Sequence, residues 1–321
     1  MDLFTHLVVG ALMYLLFMRD VTLDFLVIAI FFSVLPDLDV FLMPLKRIFK
    51  SNYFDHRGGS HSYIIGIIVA SIFGGFFFIL RQRPFLIVWI IGSLFYALHV
   101  SMDLLTTTRI PYLFPISRKE RSFHVEKAGS FFTMVNSLIF LITSMLIYSI
   151  SADIIALRSF IDFYTIFFLI YYFYRISSKL WFSSKLNKNQ VYFPGVLPFF
   201  FVIFEKELVE NTLSLSIVRK SYFSKNKEIF SSKTILTDEE MVFFEQGMAL
   251  CNTYYYFAKW TAVPIFIRKE GVFSIRFFFI ETMMRKRTMF IQYDFDILTR
   301  QMISFNRSSG HKKMSNSLNN V

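Results

Sequence analysis

The sequence predicts an all-α, polytopic membrane bundle of about six transmembrane helices, followed by a small, strand-rich α+β cytoplasmic domain. Among the 321 residues, 55% are hydrophobic and 18% are charged, against about 45–50% and about 25% in soluble domains. The apolar excess lies in long runs before residue 190, after which short apolar runs alternate with charges. The 43 Phe argue against a disordered chain, and a single cysteine, Cys251, excludes a disulfide scaffold.

Six segments before residue 190 are predicted transmembrane spans, since a spanning helix needs about 20 mostly apolar residues. Three of them are long and free of Asp, Glu, Lys and Arg. The three weaker ones each carry one titratable residue, namely His6, Asp24 or Asp162, for which packing within the bundle and function are both open. In chain order the predicted spans are 3–18, 21–35, 62–80, 84–102, 128–152 and 159–174.

The distribution of Lys and Arg predicts the orientation. With six spans the connections alternate between two sides, and the basic residues gather on one side, which the positive-inside rule places in the cytoplasm. We therefore expect a multi-pass protein of the inner or plasma membrane with both termini cytoplasmic. This role accounts for the net charge of +11 without a nucleic-acid partner, so the expected partner is the lipid bilayer, and the oligomeric state stays open. The richer side holds Lys46, Arg47, Lys50, Arg57, Arg109, Arg118, Lys119, Arg121, Lys127, Arg175, Lys179, Lys185 and Lys188, and the other side holds Arg19, Arg81, Arg83 and Arg158.

Residues 1–190 are predicted to form the membrane domain, 191–305 the cytoplasmic domain and 306–321 a disordered tail. After residue 190 the apolar runs are too short to span a bilayer, and several alternate with polar residues at the period of a half-buried strand. Thr237-Asp238-Glu239-Glu240 is typical of a helix start, and this helix is expected to end near Leu250. The basic residues of this domain leave docking of a partner or of anionic lipid as a further option. The strand candidates are 199–204, 213–218, 263–267, 272–280 and 289–293.

Seven titratable residues fall at one membrane edge when the six spans alternate. One His begins the first span, two Asp follow the second, two His precede the third, and a His–Asp pair closes the fourth. Ionisable groups at membrane depth are costly, and they therefore indicate function by default. These residues are His6, Asp37, Asp39, His56, His61, His99 and Asp103.

The spacing of these residues favours a metal centre. His99 and Asp103 are four residues apart and share one helix face, where an imidazole and a carboxylate can bind one ion or two adjacent ions. Several His with carboxylates suit Zn²⁺, or alternatively Mn²⁺ or Fe²⁺. Taken singly, each motif also has a structural explanation, such as a turn, a packed histidine or an interhelical hydrogen bond. The location of all of them at one membrane edge favours a metal.

The loop that carries His56 and His61 contains Gly58-Gly59. These glycines allow the loop to fold back, which the two histidines need because they are five residues apart and do not share a helix face. Ser60 is in position to cap the helix that follows.

Four motifs, in this order, resemble the YdjM family. They are Thr5-His6, Leu35-Pro36-Asp37-Leu38-Asp39, His56-Arg57-Gly58-Gly59-Ser60-His61-Ser62, and His99-Val100-Ser101-Met102-Asp103-Leu104-Leu105-Thr106-Thr107 followed by Phe114-Pro115-Ile116-Ser117. The likeness covers about residues 1–190. The family is described as inner-membrane, metal-dependent hydrolases, some of them under DNA-damage control. The resemblance thus implies a membrane-embedded metal centre with hydrolytic activity.

The YdjM family is in turn distantly similar to the zinc-dependent phospholipase C and single-strand nuclease superfamily. That likeness implies that Asp37 bridges two ions, that His56 is a ligand or orients one, and that Arg57 steadies a phosphate. The later His–Glu pair of a third ion is missing from this sequence, so one or two ions are implied. The implied ligands are His6, Asp37, His61, His99 and Asp103.

The leading hypothesis is a membrane-bound, metal-dependent hydrolase that acts on a phosphoester or lipid-type ester at the cytoplasmic membrane face. A metal-activated water would attack, and Asp39 or His56 would move the proton. The place of the site at the membrane edge favours a lipid substrate. The alternative is a non-catalytic metal-binding membrane protein with a structural, transport or signalling role. Transport would need ionisable groups deeper in the spans, where Asp24 and Asp162 are the candidates.

Overall fold

The structure is a computed structural model that describes residues 1–17, 22–42, 44, 48, 56–151, 154–223, 225–253, 258–283 and 287–313. The chain forms two compact units, Met1–Ser178 and Lys179–Val321, which we call the membrane unit and the C-terminal unit. The predicted boundary was residue 190. Among the basic residues used to predict the orientation, Arg19, Lys46, Arg47 and Lys50 lie outside the described residues.

Six α-helices are found in the described part up to Ser183, namely α1 Leu3–Phe17, α2 Leu23–Val34, α3 Tyr63–Arg81, α4 Phe85–Leu104, α5 Phe131–Ser151 and α6 Ile154–Ser183. A 3₁₀ helix, Leu35–Leu42, continues α2. Within the described residues, five segments are long and apolar enough to cross a membrane, namely Leu23–Leu42 and the helices α3 to α6. α1 is a shorter apolar helix of 15 residues. These elements follow the order of the six predicted segments.

Glycines allow the helices around the site to approach closely. A Cβ at Gly10 of α1 would lie 2.1 Å from Ser33 Oγ of α2, and a Cβ at Gly66 of α3 would lie 2.4 Å from the ring of Tyr96 of α4. Small residues serve the same purpose at helix interfaces in membranes generally. At these positions α1 packs against α2, and α3 packs against α4. α4 also packs against α2, around a core that includes Phe32.

α6 extends beyond the predicted span of 159–174 at both ends. Near its start Arg158 and Asp162 form an exposed i,i+4 ion pair. Near its end Arg175 is buried, and its Nε lies 3.0 Å from Oε2 of Glu126, which is also buried. The span was predicted too short because a hydropathy pattern ends at a charge, whereas a paired charge can continue inside a membrane helix.

The C-terminal unit contains eight strands and one α-helix among its described residues beyond Ser183. The elements are β1 Gln190–Pro194, β2 Phe200–Val209, β3 Thr212–Ser221, β4 Lys227–Ile235, α7 Asp238–Thr253, β5 Ala262–Lys269, β6 Val272–Phe279, β7 Arg287–Asp296 and β8 Met302–Lys313. They form two four-stranded antiparallel sheets, with strand orders β1-β2-β3-β4 and β5-β6-β7-β8. The strand-rich α+β prediction is thus confirmed at this level.

Residues from both sheets share one hydrophobic core, so the sheets pack face to face. β2 contributes Phe204 to this core, β3 contributes Leu215, and β5 contributes Ile265. Other residues of β6 and β7 pack with α7, among them Phe277 against Phe244. The alternation noted in the sequence arises because each strand places successive side chains in different layers.

α7 begins at the predicted position. The backbone N–H of Thr237 donates to Glu240 Oε2 at 2.9 Å, and the backbone N–H of Glu240 donates to Thr237 Oγ1 at 3.2 Å. This reciprocal pair is a capping box. A side-chain hydrogen bond from Arg268 also lowers the pKa of Glu240, so the carboxylate form that the box uses is favoured.

The prediction of a disordered tail from residue 306 is wrong as far as residue 313, since β8 runs to Lys313. Its backbone pairs with β7, with Asn306 opposite Gln292 and Arg307 opposite Ile291. Main-chain pairing at a sheet edge does not require apolar side chains, and for that reason the polar composition misled the prediction. Residues 314–321 lie outside the described residues. The strands β1 and β4 were also absent from the prediction.

Candidate metal centre

The candidate site lies where α1, the 3₁₀ helix, the loop before α3 and the end of α4 meet. Pro36 cannot continue the α-helical hydrogen-bonding pattern of α2 because it has no N–H, and the chain tightens into the 3₁₀ helix Leu35–Leu42. The sequence-predicted site residues come from four elements: His6 from α1, Asp37 and Asp39 from the 3₁₀ helix, His56, Arg57 and His61 from the loop, and His99 and Asp103 from α4.

Four of these side chains, Asp37, His61, His99 and Asp103, form a group in which one ligand atom from each lies within 4.8 Å of the others. His61 Nε2 is 3.2 Å from Asp103 Oδ2 and 3.4 Å from Asp37 Oδ1. The Nε2 atoms of His61 and His99 are 3.3 Å apart. In a tetrahedral zinc site with bonds of about 2.0–2.1 Å, ligand atoms lie about 3.3 Å apart. We call these four residues the metal cluster, because their spacing fits one metal ion.

Hydrogen bonds orient both histidines of the metal cluster. His99 Nδ1 lies 2.7 Å from the carbonyl oxygen of Ser33, which can only accept, so the proton is on Nδ1 and Nε2 keeps its lone pair. His61 Nδ1 lies 3.0 Å from Ser60 Oγ and 3.4 Å from Asp39 Oδ2. Partners of this kind fix the tautomer and ring orientation of metal-binding histidines in general.

Asp39 is the centre of these orienting contacts and is buried. Its Oδ1 lies 2.7 Å from His56 Nδ1, and its Oδ2 accepts from the Arg57 backbone N–H at 3.0 Å and from Ser60 Oγ. His56 therefore lies beside Asp39 and outside the metal cluster. Its predicted role as a ligand is not supported by this position, whereas its predicted role as an orienting group fits it.

His6 lies against the metal cluster. Its ring stacks on the ring of His99 with centroids 3.7 Å apart, and its Nε2 is 3.3 Å from Asp103 Oδ1 and 3.9 Å from Asp37 Oδ2. The side chain is fully buried. Its nitrogen is therefore close enough to the two carboxylates to serve as a further ligand or to complete a second ion position.

Arg57 is buried and contacts Asp103, with Nε 3.2 Å from Oδ2. Its guanidinium also donates to the carbonyl oxygen of Met1 at 3.1 Å, and the amino group of Met1 contacts Asp103. The backbone of Arg57 has φ 61°, a conformation that few non-glycine residues adopt. The glycines were predicted to turn this loop, but Arg57 itself carries the left-handed turn.

The charge balance of the site fits a cation. The carboxylates of Asp37, Asp39 and Asp103 lie close together, and two cationic groups, the Arg57 guanidinium and the Met1 amino group, both contact Asp103. Within the described residues, Asp37 Oδ1, Asp103 Oδ2 and both ring nitrogens of His6 take part in no hydrogen bond of standard geometry. Buried polar atoms are normally hydrogen-bonded. Carboxylate oxygens without standard hydrogen bonds, close to histidine nitrogens, are therefore available to a divalent metal ion.

Several residues that contribute to the site were not predicted from the sequence. Ser60 was predicted to cap α3, but Ser62 does so by accepting from the Ile64 N–H at 3.2 Å. Ser60 instead binds Asp39 and faces His61, and its carbonyl accepts from Tyr96. Tertiary contacts of this kind leave no spacing pattern in a single sequence. The acidic residue of the second predicted span, Asp24, lies away from the site and pairs with Arg83 at the exposed surface.

Comparison with known proteins identifies the family. The family model described as "YdjM inner membrane protein" matches residues 1–182, which is more than half of the chain and includes every residue of the metal cluster. The chain therefore belongs to the YdjM inner membrane protein family, as the motifs predicted. No curated protein and no solved structure matches it.

Proposed function

We propose that this member of the YdjM family is a membrane-bound, metal-dependent hydrolase that acts on a phosphoester or lipid-type ester at the cytoplasmic membrane face. The observation that carries the proposal is the metal cluster, with four ligand atoms within 4.8 Å of one another. A divalent ion bound there, most simply Zn²⁺, would supply Lewis acidity and activate water. Asp37, His61, His99 and Asp103 would hold it, with His6 as a further ligand or as part of a second ion site.

Asp39 and His56 are the proposed proton-transfer pair. Asp39 is 3% exposed while the side chain of His56 is 29% exposed, so the pair connects the buried site with its surroundings. Their 2.7 Å contact leaves Nε2 of His56 as the nitrogen that can exchange a proton with a leaving group or water.

Arg57 is the proposed phosphate-binding residue. Its guanidinium has five N–H donors in a planar fork, and such a fork suits a phosphate. Because Arg57 contacts Asp103, a phosphate oxygen bound to it would lie beside the metal cluster.

A non-catalytic role is the second candidate. Two His and two Asp can form a complete tetrahedral set, and closed four-ligand sites are typical of structural metals, whereas catalytic sites keep a position for water. In that case the ion would tie α4 to the 3₁₀ helix and to the loop before α3. Transport and signalling roles belong to the same non-catalytic class.

The decisive test is the metal content of the detergent-purified full-length protein. We expect one or two transition-metal ions per chain by mass spectrometry, and their loss in His61→Ala and in Asp103→Ala. Asp162→Ala and His124→Asn serve as matched controls that remove a carboxylate and an imidazole elsewhere in the chain. Hydrolysis of bis(p-nitrophenyl) phosphate and of phospholipid vesicles should fall with the metal.

Each outcome selects one interpretation. A protein without metal, even after reconstitution with zinc and manganese, would exclude both candidate functions. Bound metal without hydrolysis of either substrate class, in protein that is folded and reconstituted, would favour the structural role. Unchanged hydrolysis in both ligand variants would contradict the assignment of the site.

A further inference from the structure

An apolar cavity of about 150 Å³ lies between α1, α4 and α6 and is open on one side. Leu12 of α1, Leu98 and Met102 of α4, and Phe168 and Leu169 of α6 contribute to its walls. All three helices belong to the membrane unit, and α4 and α6 are among the segments apolar enough to cross a bilayer. The cavity therefore lies among segments that are apolar enough to cross a bilayer.

The polar groups in the cavity wall are satisfied by the protein. Thr165 Oγ1 donates to the carbonyl oxygen of Ile161 at 2.9 Å, and the Tyr172 hydroxyl donates to Met1 Sδ at 3.0 Å. The wall thus offers an occupant only dispersion contacts and apolar surface. A cavity of this size and lining holds about six carbons, since an engineered apolar cavity of ~150 Å³ binds benzene.

The cavity lies close to the metal cluster in two places. Leu98 and Met102 each precede a cluster residue on α4, namely His99 and Asp103, so the cavity and the cluster lie on neighbouring faces of that helix. On the other side of the cavity, Tyr172 contacts Met1, whose amino group contacts Asp103. A ligand in the cavity would therefore lie one layer of side chains from the ions.

We propose that this cavity holds the first carbons of one acyl chain of a membrane phospholipid, whose phosphoester group lies at the metal cluster. The inference deepens the proposed function by assigning the substrate class, and it rests on that function. The chain would enter through the open side, where Leu169 is exposed. The headgroup would lie toward Arg57, whose guanidinium complements the negative charge of a phosphodiester.

Photolabelling of the full-length protein in vesicles tests the proposal. The probe is phosphatidylglycerol with a diazirine near the start of one acyl chain, used at trace level in unlabelled phosphatidylglycerol. Leu12 and Met102 are only 2% and 5% exposed, so bulk lipid reaches them only through the cavity. We expect label on these two residues in the wild type, mapped by peptide mass spectrometry.

Leu98→Trp fills the cavity and should reduce labelling of Leu12 and Met102 at least fivefold. The matched control is Leu94→Trp, one turn away on the same helix at a residue that is 59% exposed, which should leave the labelling unchanged. The metal content of both variants is measured to confirm that the cluster is intact. Label confined to exposed residues, or equal labelling in Leu98→Trp and the wild type, would overturn the proposal.

The same experiment separates this inference from the proposed function. His61→Ala should lose metal but keep the label on Leu12 and Met102, because it leaves the cavity walls unchanged. Labelled cavity residues without hydrolysis by the wild type would refute the assigned substrate role of the chain. Metal-dependent hydrolysis without cavity labelling would leave the hydrolase and reject the acyl-chain site.

Discussion

Two buried clusters of charged residues in the membrane unit differ in how their carboxylate oxygens are satisfied. In the first, Glu126 Oε1 accepts from the Lys127 N–H at 3.0 Å and Arg175 at 3.3 Å, and Oε2 pairs with Arg175 and accepts from Tyr171. In the metal cluster, one oxygen each of Asp37 and Asp103 takes part in no standard hydrogen bond within the described residues.

This difference separates a self-contained buried ion pair from a group of residues that could hold a metal ion. Glu126 and Arg175 neutralise each other and tie the loop after α4 to α6, so the pair requires no other ion. In the metal cluster the Arg57 guanidinium and the Met1 amino group both contact Asp103, whereas Asp37 contacts histidine rings. A buried carboxylate oxygen that lacks a hydrogen bond of standard geometry carries a free-energy cost, which a bound cation would offset.

Among variants that test this comparison, the largest loss of stability is expected at Arg175. Arg175→Met leaves the Glu126 carboxylate buried and unpaired, which should cost about 3–5 kcal/mol of stability. The thermal unfolding of the detergent-purified protein measures the loss. The double variant Glu126→Gln with Arg175→Met should recover part of it, because it removes both charges. If the single variant were as stable as the wild type, the pair would not be the structural tie described above.

An intermediate effect is expected at Asp39, which orients the metal cluster without belonging to it. Asp39→Asn should weaken metal binding about 10- to 100-fold, as loss of such partners generally does, while global stability changes less than in Arg175→Met. A chelator competition titration gives the affinity. Asp24→Asn, which alters an exposed carboxylate paired with Arg83, should leave the affinity unchanged. Equal affinities in Asp39→Asn and the wild type would show that His61 needs no such support.

The smallest effect is expected in the C-terminal unit, where the Glu240 carboxylate takes part in a helix cap and pairs with Arg268 near the surface. Thr237→Ala removes one half of the capping box and should cost about 1 kcal/mol. Hydrogen exchange of the first-turn amides of α7 should accelerate accordingly, with no change in metal content. Thr253→Ala, at the other end of α7, is the control. Unaltered exchange in Thr237→Ala would mean that packing alone fixes the start of the helix.

The sequence predictions succeeded where the interacting residues lie close together in the chain and failed where they lie far apart. The i,i+4 pair His99 and Asp103 was recognised because helix geometry places such residues on one face, and it does belong to the metal cluster. His56 was assigned as a ligand or an orienting group from the family resemblance, and the structure places its Nδ1 2.7 Å from Asp39 Oδ1, outside the metal cluster. Arg175 was treated as a topogenic charge, because its partner Glu126 lies 49 residues away in the chain.

The apolar helices of the membrane unit, the strand-rich C-terminal unit and the set of residues that includes the metal cluster could all be predicted from the sequence alone. The length of apolar runs, the alternation of apolar and polar residues along a strand and i,i+4 spacing are local properties. Such properties can be recognised in a single sequence. The folded arrangement was needed to see which carboxylates lie in ion pairs with arginine and which could bind a metal ion. This distinction depends on burial and on contacts between distant segments, as when Ser33 orients His99 and Ser60 faces His61. The same packing formed the apolar cavity beside the site, because a void depends on how three helices fail to fill the space between them.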